Sequence, residues 1–231
     1  MVSADEKELS RVVRSVSSAD YWEGRYRSGG NSGKGSYGRL AVYKAHLINC
    51  LVHREKIETV VEFGSGDGHQ ASLFAIPHYT GVDVSSHAVD RCREAFGKRP
   101  GWDFVTAEDF VPSRQYDLSL SLDVVYHLFE DAVFEQYMHR LFAAATRFVL
   151  VYSSDHEDPD RAVHVRHRKY SDWVRDNIPG WRCLRRFEQP YPRIGDEDPA
   201  GSSFAFFRLY GRTNTEVGDS AAIPGGAGSG L

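Results

Sequence analysis

The sequence predicts an α/β protein built on a doubly wound, mostly parallel sheet of seven strands in three αβα layers. Three observations carry this expectation. An apolar run, Thr59-Val60-Val61, leads through Glu62 and Phe63 into glycines at 64, 66 and 68. A buried parallel strand ends this way in a tight ligand-binding turn, because glycine adopts backbone angles closed to other residues and lets a ligand approach the main chain. A second short apolar run, Thr80-Gly81-Val82, ends in Asp83, about 20 residues on, the spacing at which an acid holds a ribose. Beyond it, short strand-like runs alternate with helix-length stretches, the pattern of a parallel sheet covered by helices.

In chain order, Leu9, Val12, Val13 and Val16 have helical spacing and predict a short amphipathic helix. A Gly- and Ser-rich loop at 28–38 precedes a helix at 39–54 that buries Leu40, Tyr43, Leu47 and Leu51. Strands are expected at 59–63, 80–84, 102–105, 116–122 and 147–152, with helices at 86–96 and 130–145. The runs 181–187 and 204–210 alternate enough to form an antiparallel edge pair. The tail 211–231 is Gly, Ala, Ser and Pro without periodicity and predicts disorder. Ligands in such a fold sit beyond the carboxyl ends of the strands. Residues through Ala45 and residues 155–177 fall outside the strand–helix alternation and can reach that edge. The expected organisation is a helical cap at 1–56, a ligand-binding domain at 57–210 with a substrate-side insertion at 155–177, and a tail.

A chain of 231 residues suits one α/β domain with additions. Its 28 Lys and Arg against 32 Asp and Glu give a net charge of −4, with no global pull toward nucleic acid. Cys50, Cys92 and Cys183 form no disulfide or metal pattern, so a reducing, cytoplasmic setting is expected. The charged N-terminus does not read as a signal peptide. No apolar run reaches the ~18 residues that would span a membrane.

The spacing Gly64-x-Gly66-x-Gly68 departs from the dinucleotide pattern, and Glu62 before it would repel a pyrophosphate. A ligand carrying an ammonium or sulfonium group suits the turn better. With Asp83, Ala107-Glu108-Asp109-Phe110 and Leu122-Asp123-Val124-Val125-Tyr126-His127-Leu128 following in order, roughly residues 57–153 resemble the class I S-adenosylmethionine-dependent methyltransferases. The resemblance implies a Rossmann-like sheet whose last strand inserts antiparallel. It also implies S-adenosylmethionine as cofactor and S-adenosylhomocysteine as product. Gly64, Ser65 and Gly66 would then wrap the methionine part, with Glu62 facing its ammonium. Asp83 would accept from the ribose hydroxyls and Val84 would pack on the adenine. Asp109 and Phe110 would supply the acid and the apolar neighbour for the base; Asp109 could instead cap a turn. Leu122 and Asp123 would line the cofactor beside the sulfonium.

Methyl transfer to a hydroxyl of high pKa needs positioning and a base. His127, four residues past Asp123 at the mouth of the sheet, is the candidate base, with Asp123 beside it. His127 could equally hydrogen-bond backbone or substrate without moving a proton. Tyr21, Tyr26 and Tyr37, with Trp22, would add aromatic walls, and Lys44 a charge. The loop at 29–36 fails the phosphate-loop pattern and reads as a lid over the cofactor. In a strand-like stretch His164, Arg166 and Arg168 would share one face suited to a carboxylate or phosphate; the alternative is a solvated charged loop pairing with the acidic run before it. His164 with His167, or Asp155 with Asp123, could offer metal ligands, but the spacing is unlike a standard zinc site and no metal is expected. The aromatic N-terminal run and the 164–168 stretch also resemble a bacterial methyltransferase subgroup of surface-polysaccharide and small-metabolite pathways. The expected activity is methyl transfer to a small polar acceptor, anionic or sugar-like, at oxygen. The alternatives are N-methylation of an amine or peptide, nucleic-acid methylation, and a non-catalytic cofactor-binding module. The segment after the fourth strand lacks the Pro-Pro of DNA amino-methyltransferases, which argues against a nucleic-acid partner.

Overall fold

The computed structural model describes residues 17–111, 115–158, 165–191 and 206–213. Seven strands form one sheet: β1 (Thr59–Phe63), β2 (His78–Asp83), β3 (Trp102–Thr106), β4 (Tyr116–Leu122), β5 (Ala145–Ser153), β6 (Trp181–Phe187) and β7 (Phe206–Arg212). Their spatial order is β3-β2-β1-β4-β5-β7-β6. The first five strands run parallel, and β7 lies antiparallel between β5 and β6. The chain order therefore reverses between β1 and β4, and the carboxyl ends of those strands open the crevice in which such sheets bind ligands.

Strand periodicity puts alternate residues on opposite faces, and each face has its own helices. Val60, Leu118, Leu120, Phe148 and Leu150 pack with Ile48 and Leu51 of α2 (Gly38–Arg54) and Val89 and Cys92 of α4 (Ser86–Phe96). Their neighbours Val61, Val149 and Val151 pack against Phe134, Met138, Leu141 and Phe142 of α5 (Asp131–Ala143), and against Tyr170 and Val174 of α6 (Tyr170–Asn177). Two short helices complete the described α-helices: α1 (Ser18–Arg27), capped by Ser17, and α3 (His69–Ser72), directly after the glycine turn.

The expected elements are all present within the described residues, with shifted ends. Gly211 and Arg212 belong to β7 rather than to the tail. The expected helix around Leu9–Val16 and the tail from residue 214 lie outside the described residues. The segment expected as a substrate wall at 155–177 instead ends in α6, whose Tyr170 and Val174 enter the core beneath the sheet. α6 is thus the crossover helix that a β5-to-β6 connection needs.

Candidate active site

A cavity of about 490 Å³ lies at the carboxyl ends of β1, β2 and β4. Its floor is the turn after β1. The N–H groups of Gly64 and Ser65 both donate to Val82 O, at 2.7 and 3.1 Å, and bend the chain across the end of β2. Glycine is required at two of these positions. Gly64 has φ +86°, and a Cβ there would lie 2.3 Å from Val124 Cγ2. Gly66 has φ +57°, and a Cβ there would lie 2.3 Å from Ser32 Oγ. Only a residue without a side chain lets the loop from β4 and the N-terminal lid close on the turn from both sides.

Three of the acids that line this space lie at the strand ends. Asp83 is buried at the end of β2; its Oδ2 accepts from Gly66 N at 2.8 Å and its Oδ1 from Ser85 N at 2.9 Å. Burial pushes its carboxyl up to about 6. Glu62 is buried beside the turn and accepts from the Tyr79 hydroxyl. Burial pushes Glu62 up to about 7, against the pull of Tyr79 and the Lys44 charge. Asp123, at the end of β4, has φ +59°, a conformation uncommon for a non-glycine residue. Its Oδ2 lies 2.6 Å from the Nζ of fully buried Lys44, and its Oδ1 accepts from the Tyr126 hydroxyl at 2.8 Å.

The N-terminal segment closes over this floor. Asp67, between two of the turn glycines, accepts from Ser32 N (2.9 Å) and the Tyr37 hydroxyl (2.8 Å), while its own N–H donates to Ser32 Oγ. Burial works to raise the Asp67 carboxyl, but these donors and His69 N–H outweigh it and hold the group below the usual carboxylate range. Arg91 of α4 donates to the carbonyls of Gly30 and Tyr26, and Ser18 donates through N–H and hydroxyl to Glu130. α1 is therefore tied to both sides of the cleft. Trp22, carried by α1, meets His127 edge-on at 5.0 Å between ring centres. His127 ends a 3-10 turn at Val125–His127, its N–H donating to Val124 O, and both Trp22 and His127 line the cavity.

Of the residues singled out from sequence, Glu62, Gly64, Ser65, Gly66, Asp83, Val84, Leu122, Asp123, His127 and Tyr26 all line this one cavity. Others do not. Asp109 is exposed and closes a turn with Thr106, Thr106 Oγ1 donating to its Oδ2 at 2.7 Å. Phe110 is buried in the core against Phe63 and Tyr116. Their preceding neighbours Ala107 and Glu108 line the cavity instead. Tyr37 stacks on His69 and anchors Asp67, and Tyr21 packs edge-on against Trp22; neither lines the cavity. Asp123 holds Lys44 through one oxygen and Tyr126 through the other.

The expectation for the basic stretch also changes. His164 lies outside the described residues. Arg166 donates to Phe129 O, and Arg168 to the carbonyls of Leu128 and Phe129; both pair with Asp131. Their guanidinium groups hold the β4–α5 loop that carries His127, and neither lines the cavity. In the acidic run, Asp155 accepts from Arg208 and Ser171, and Glu157 accepts from Lys169 N–H. Sequence reasoning gave Lys44 only a charge and missed Glu130 and Asp67. Asp67 alone had a local signal, an acid between two turn glycines.

The donor set fits the cofactor implied by the resemblance. Ser65 Oγ is buried, lines the cavity, and has no hydrogen-bond partner among the described residues. Such an orphan asks for a ligand atom. Two buried carboxylates whose ionisation is opposed by burial suit a ligand that brings hydroxyl donors to one and a cation to the other.

Comparison with known proteins agrees. Residues 61–150 match a family model described as a methyltransferase domain. No curated protein matches the chain. Among solved structures, the N-methyltransferase NodS from Bradyrhizobium japonicum WM9, in complex with S-adenosyl-L-homocysteine, is 13% identical with a TM-score of 0.63, covering 85% of this chain and 98% of that one. Magnesium protoporphyrin IX methyltransferase (ChlM) from Synechocystis PCC 6803, with bound SAH, is 15% identical with a TM-score of 0.59, covering 84% and 98%. The CcbJ methyltransferase from Streptomyces caelestis is 13% identical with a TM-score of 0.57, covering 78% and 92%. At these identities the structures speak for the fold, and the family match speaks for the domain. Residues 61–150 thus match a methyltransferase domain, set in a fold shared with S-adenosylmethionine-dependent methyltransferases.

Proposed function

We propose that the enzyme methylates a hydroxyl of a small, uncharged polar acceptor of sugar-like chemistry, with His127 taking the hydroxyl proton. The observation that carries this reading is the position of His127: it shares one cavity with the glycine turn and is held against Trp22 of the lid. S-adenosylmethionine supplies the electrophilic methyl group when bound. Residues 17–56 act as a cap that excludes water, Asp83 holds the ribose, and Glu62 with Ser65 receives the amino-acid end. Glu108 replaces Asp109 as the acid at the base. Asp123, fixed by Lys44, is a wall rather than a base.

The anionic acceptor expected from the sequence loses its support. Arg140 is the one Lys or Arg on the cavity wall among the described residues, and it donates to Ala107 O and Phe110 O. With Glu62, Asp83 and Glu108 engaged by the cofactor, Glu130 and the Lys44-paired Asp123 are the acids left on the wall. A phosphate, free or in a nucleic acid, would be repelled there. The same acids favour a second reading, an amine acceptor. Methyl transfer from radiolabelled S-adenosylmethionine to matched sugars, sugar phosphates and amino sugars separates the readings. Neutral sugars are expected to accept label at least tenfold faster than their phosphates. Preferential labelling of the phosphates would overturn the proposal, and labelling confined to amines would select the second reading.

Asp83 gives a test of the cofactor assignment. Asp83→Asn offers one oxygen and one amide to the Gly66 and Ser85 N–H donors, so one donor is left facing another. Its neutral oxygen also accepts more weakly from a hydroxyl. S-adenosylhomocysteine affinity should fall roughly 10- to 100-fold by calorimetry. The pH dependence follows the same logic. A bound ammonium and ribose favour the ionised carboxylates, so binding is coupled to proton loss. Affinity should be flat above about pH 7 and fall as pH drops through about 7 for Glu62 and then about 6 for Asp83. An affinity independent of pH across that span would sink both assignments.

A further inference from the structure

Beyond β5 a cluster lies outside the cavity. His156, Asp158 and His167 each present a ligand atom, all within 4.8 Å of one another. The two imidazoles stack with centres 4.8 Å apart and planes 20° apart. His167 is buried, with Nδ1 2.7 Å from Ser154 Oγ. That contact orients the ring through Nδ1, the outer-sphere arrangement common to metal-bound histidines.

We propose that His156, Asp158 and His167 bind one divalent cation of the zinc–cobalt–nickel class. Two imidazoles and a carboxylate match that class, whereas magnesium and calcium prefer all-oxygen sites. Three protein ligands leave a fourth position for water. Bonds of about 2.0–2.1 Å place tetrahedral ligand atoms ~3.4 Å apart. Closing the site to that spacing requires exposed His156 to swing inward. The ion then cross-links the β5 exit, residues 154–158, to the segment containing Arg166 and Arg168. Those arginines hold the loop that carries His127, and the His167 ring lies 6.0 Å from Tyr126, which bonds to Asp123. The site is a pin behind the acceptor side of the cleft, and it is independent of the acceptor's identity.

The full-length chain, without an affinity tag and stripped of metal, is titrated with Zn²⁺ by calorimetry and with Co²⁺ by visible absorption. One equivalent of each should bind, with a tetrahedral Co²⁺ band. His156→Ala and His167→Ala should each weaken Zn²⁺ binding at least about 100-fold, and Ser154→Ala about tenfold, as losses of a ligand and of an outer-sphere partner. His156 is exposed, so its alanine variant should keep wild-type affinity for S-adenosylhomocysteine, which verifies the fold. Mg²⁺ should give no saturable binding. The proposal is overturned if the wild-type chain takes up no equivalent of Zn²⁺, or if stoichiometry and affinity survive His156→Ala unchanged.

Discussion

Lys44→Met is expected to destabilise the enzyme by about 3 kcal/mol, a drop in melting temperature of roughly 6–12 °C for a chain of this size. Lys44 is fully buried, and its Nζ lies 2.6 Å from Asp123 Oδ2. Methionine fills the space of the lysine stem but leaves the Asp123 carboxylate with the Tyr126 hydroxyl as its remaining close donor. Removing one partner of a buried pair strands the other charge, at a cost of about 3–5 kcal/mol. The lower end applies because Asp123 faces the cavity and keeps 13% of its side-chain surface exposed, so water softens the loss. The lid suffers too, since Gly35 packs on Asp123: a Cβ at Gly35 would lie 2.8 Å from Asp123 Oδ2. The diagnostic is the double variant. Asn tolerates the left-handed backbone at position 123 better than most residues, and it carries no charge. Adding Asp123→Asn to Lys44→Met should therefore restore much of the stability, giving a large coupling in a double-mutant cycle. Additive losses in thermal or denaturant unfolding would mean that the pair contributes no mutual stabilisation.

How much of this was legible follows from range. The sheet, its helices and the glycine turn were written locally: alternation fixed the strands, and the Val60/Val61 pair already contained the two faces. The place of Asp83 in the cavity was readable because it ends a strand, which sequence marks. Side-chain partnerships were not readable. Lys44 finds Asp123 across 79 positions and Ser18 finds Glu130 across 112; no local pattern encodes either. The motif points to Asp109 over Glu108, but in the turn after β3 Asp109 accepts from Thr106 while Glu108 lines the cavity. Arg166 and Arg168 illustrate the same limit. A basic cluster in an acidic chain reads as a ligand site, yet a guanidinium with five donors also satisfies loop carbonyls that no helix or strand can. Leu128 O and Phe129 O are such carbonyls, and the arginines are consumed there.

His127→Gln is expected to lower kcat roughly 100- to 10,000-fold with a hydroxyl acceptor, the range that a positioned general base supplies, while S-adenosylhomocysteine affinity stays unchanged. Glutamine retains a hydrogen-bonding side chain of similar reach, so a role limited to holding the acceptor should survive it largely intact. Proton abstraction cannot, because a neutral amide has no titration in the working range. The pH profile separates the two. Wild-type kcat/KM should rise with pH over the interval in which an imidazole gives up its proton, and the variant should be flat there. Geometry supports the choice of His127 over the neighbouring acid, since Asp123 is already bound to Lys44 and Tyr126. The nature of the acceptor sharpens the test further. An alcohol keeps its proton until the transition state and needs the base; an amine already deprotonated in solution does not. A variant that loses hydroxyl methylation but retains methylation of an amino sugar would assign His127 to proton transfer. Equal losses on both would assign it to positioning, with Trp22 of the lid as the partner that holds it in place.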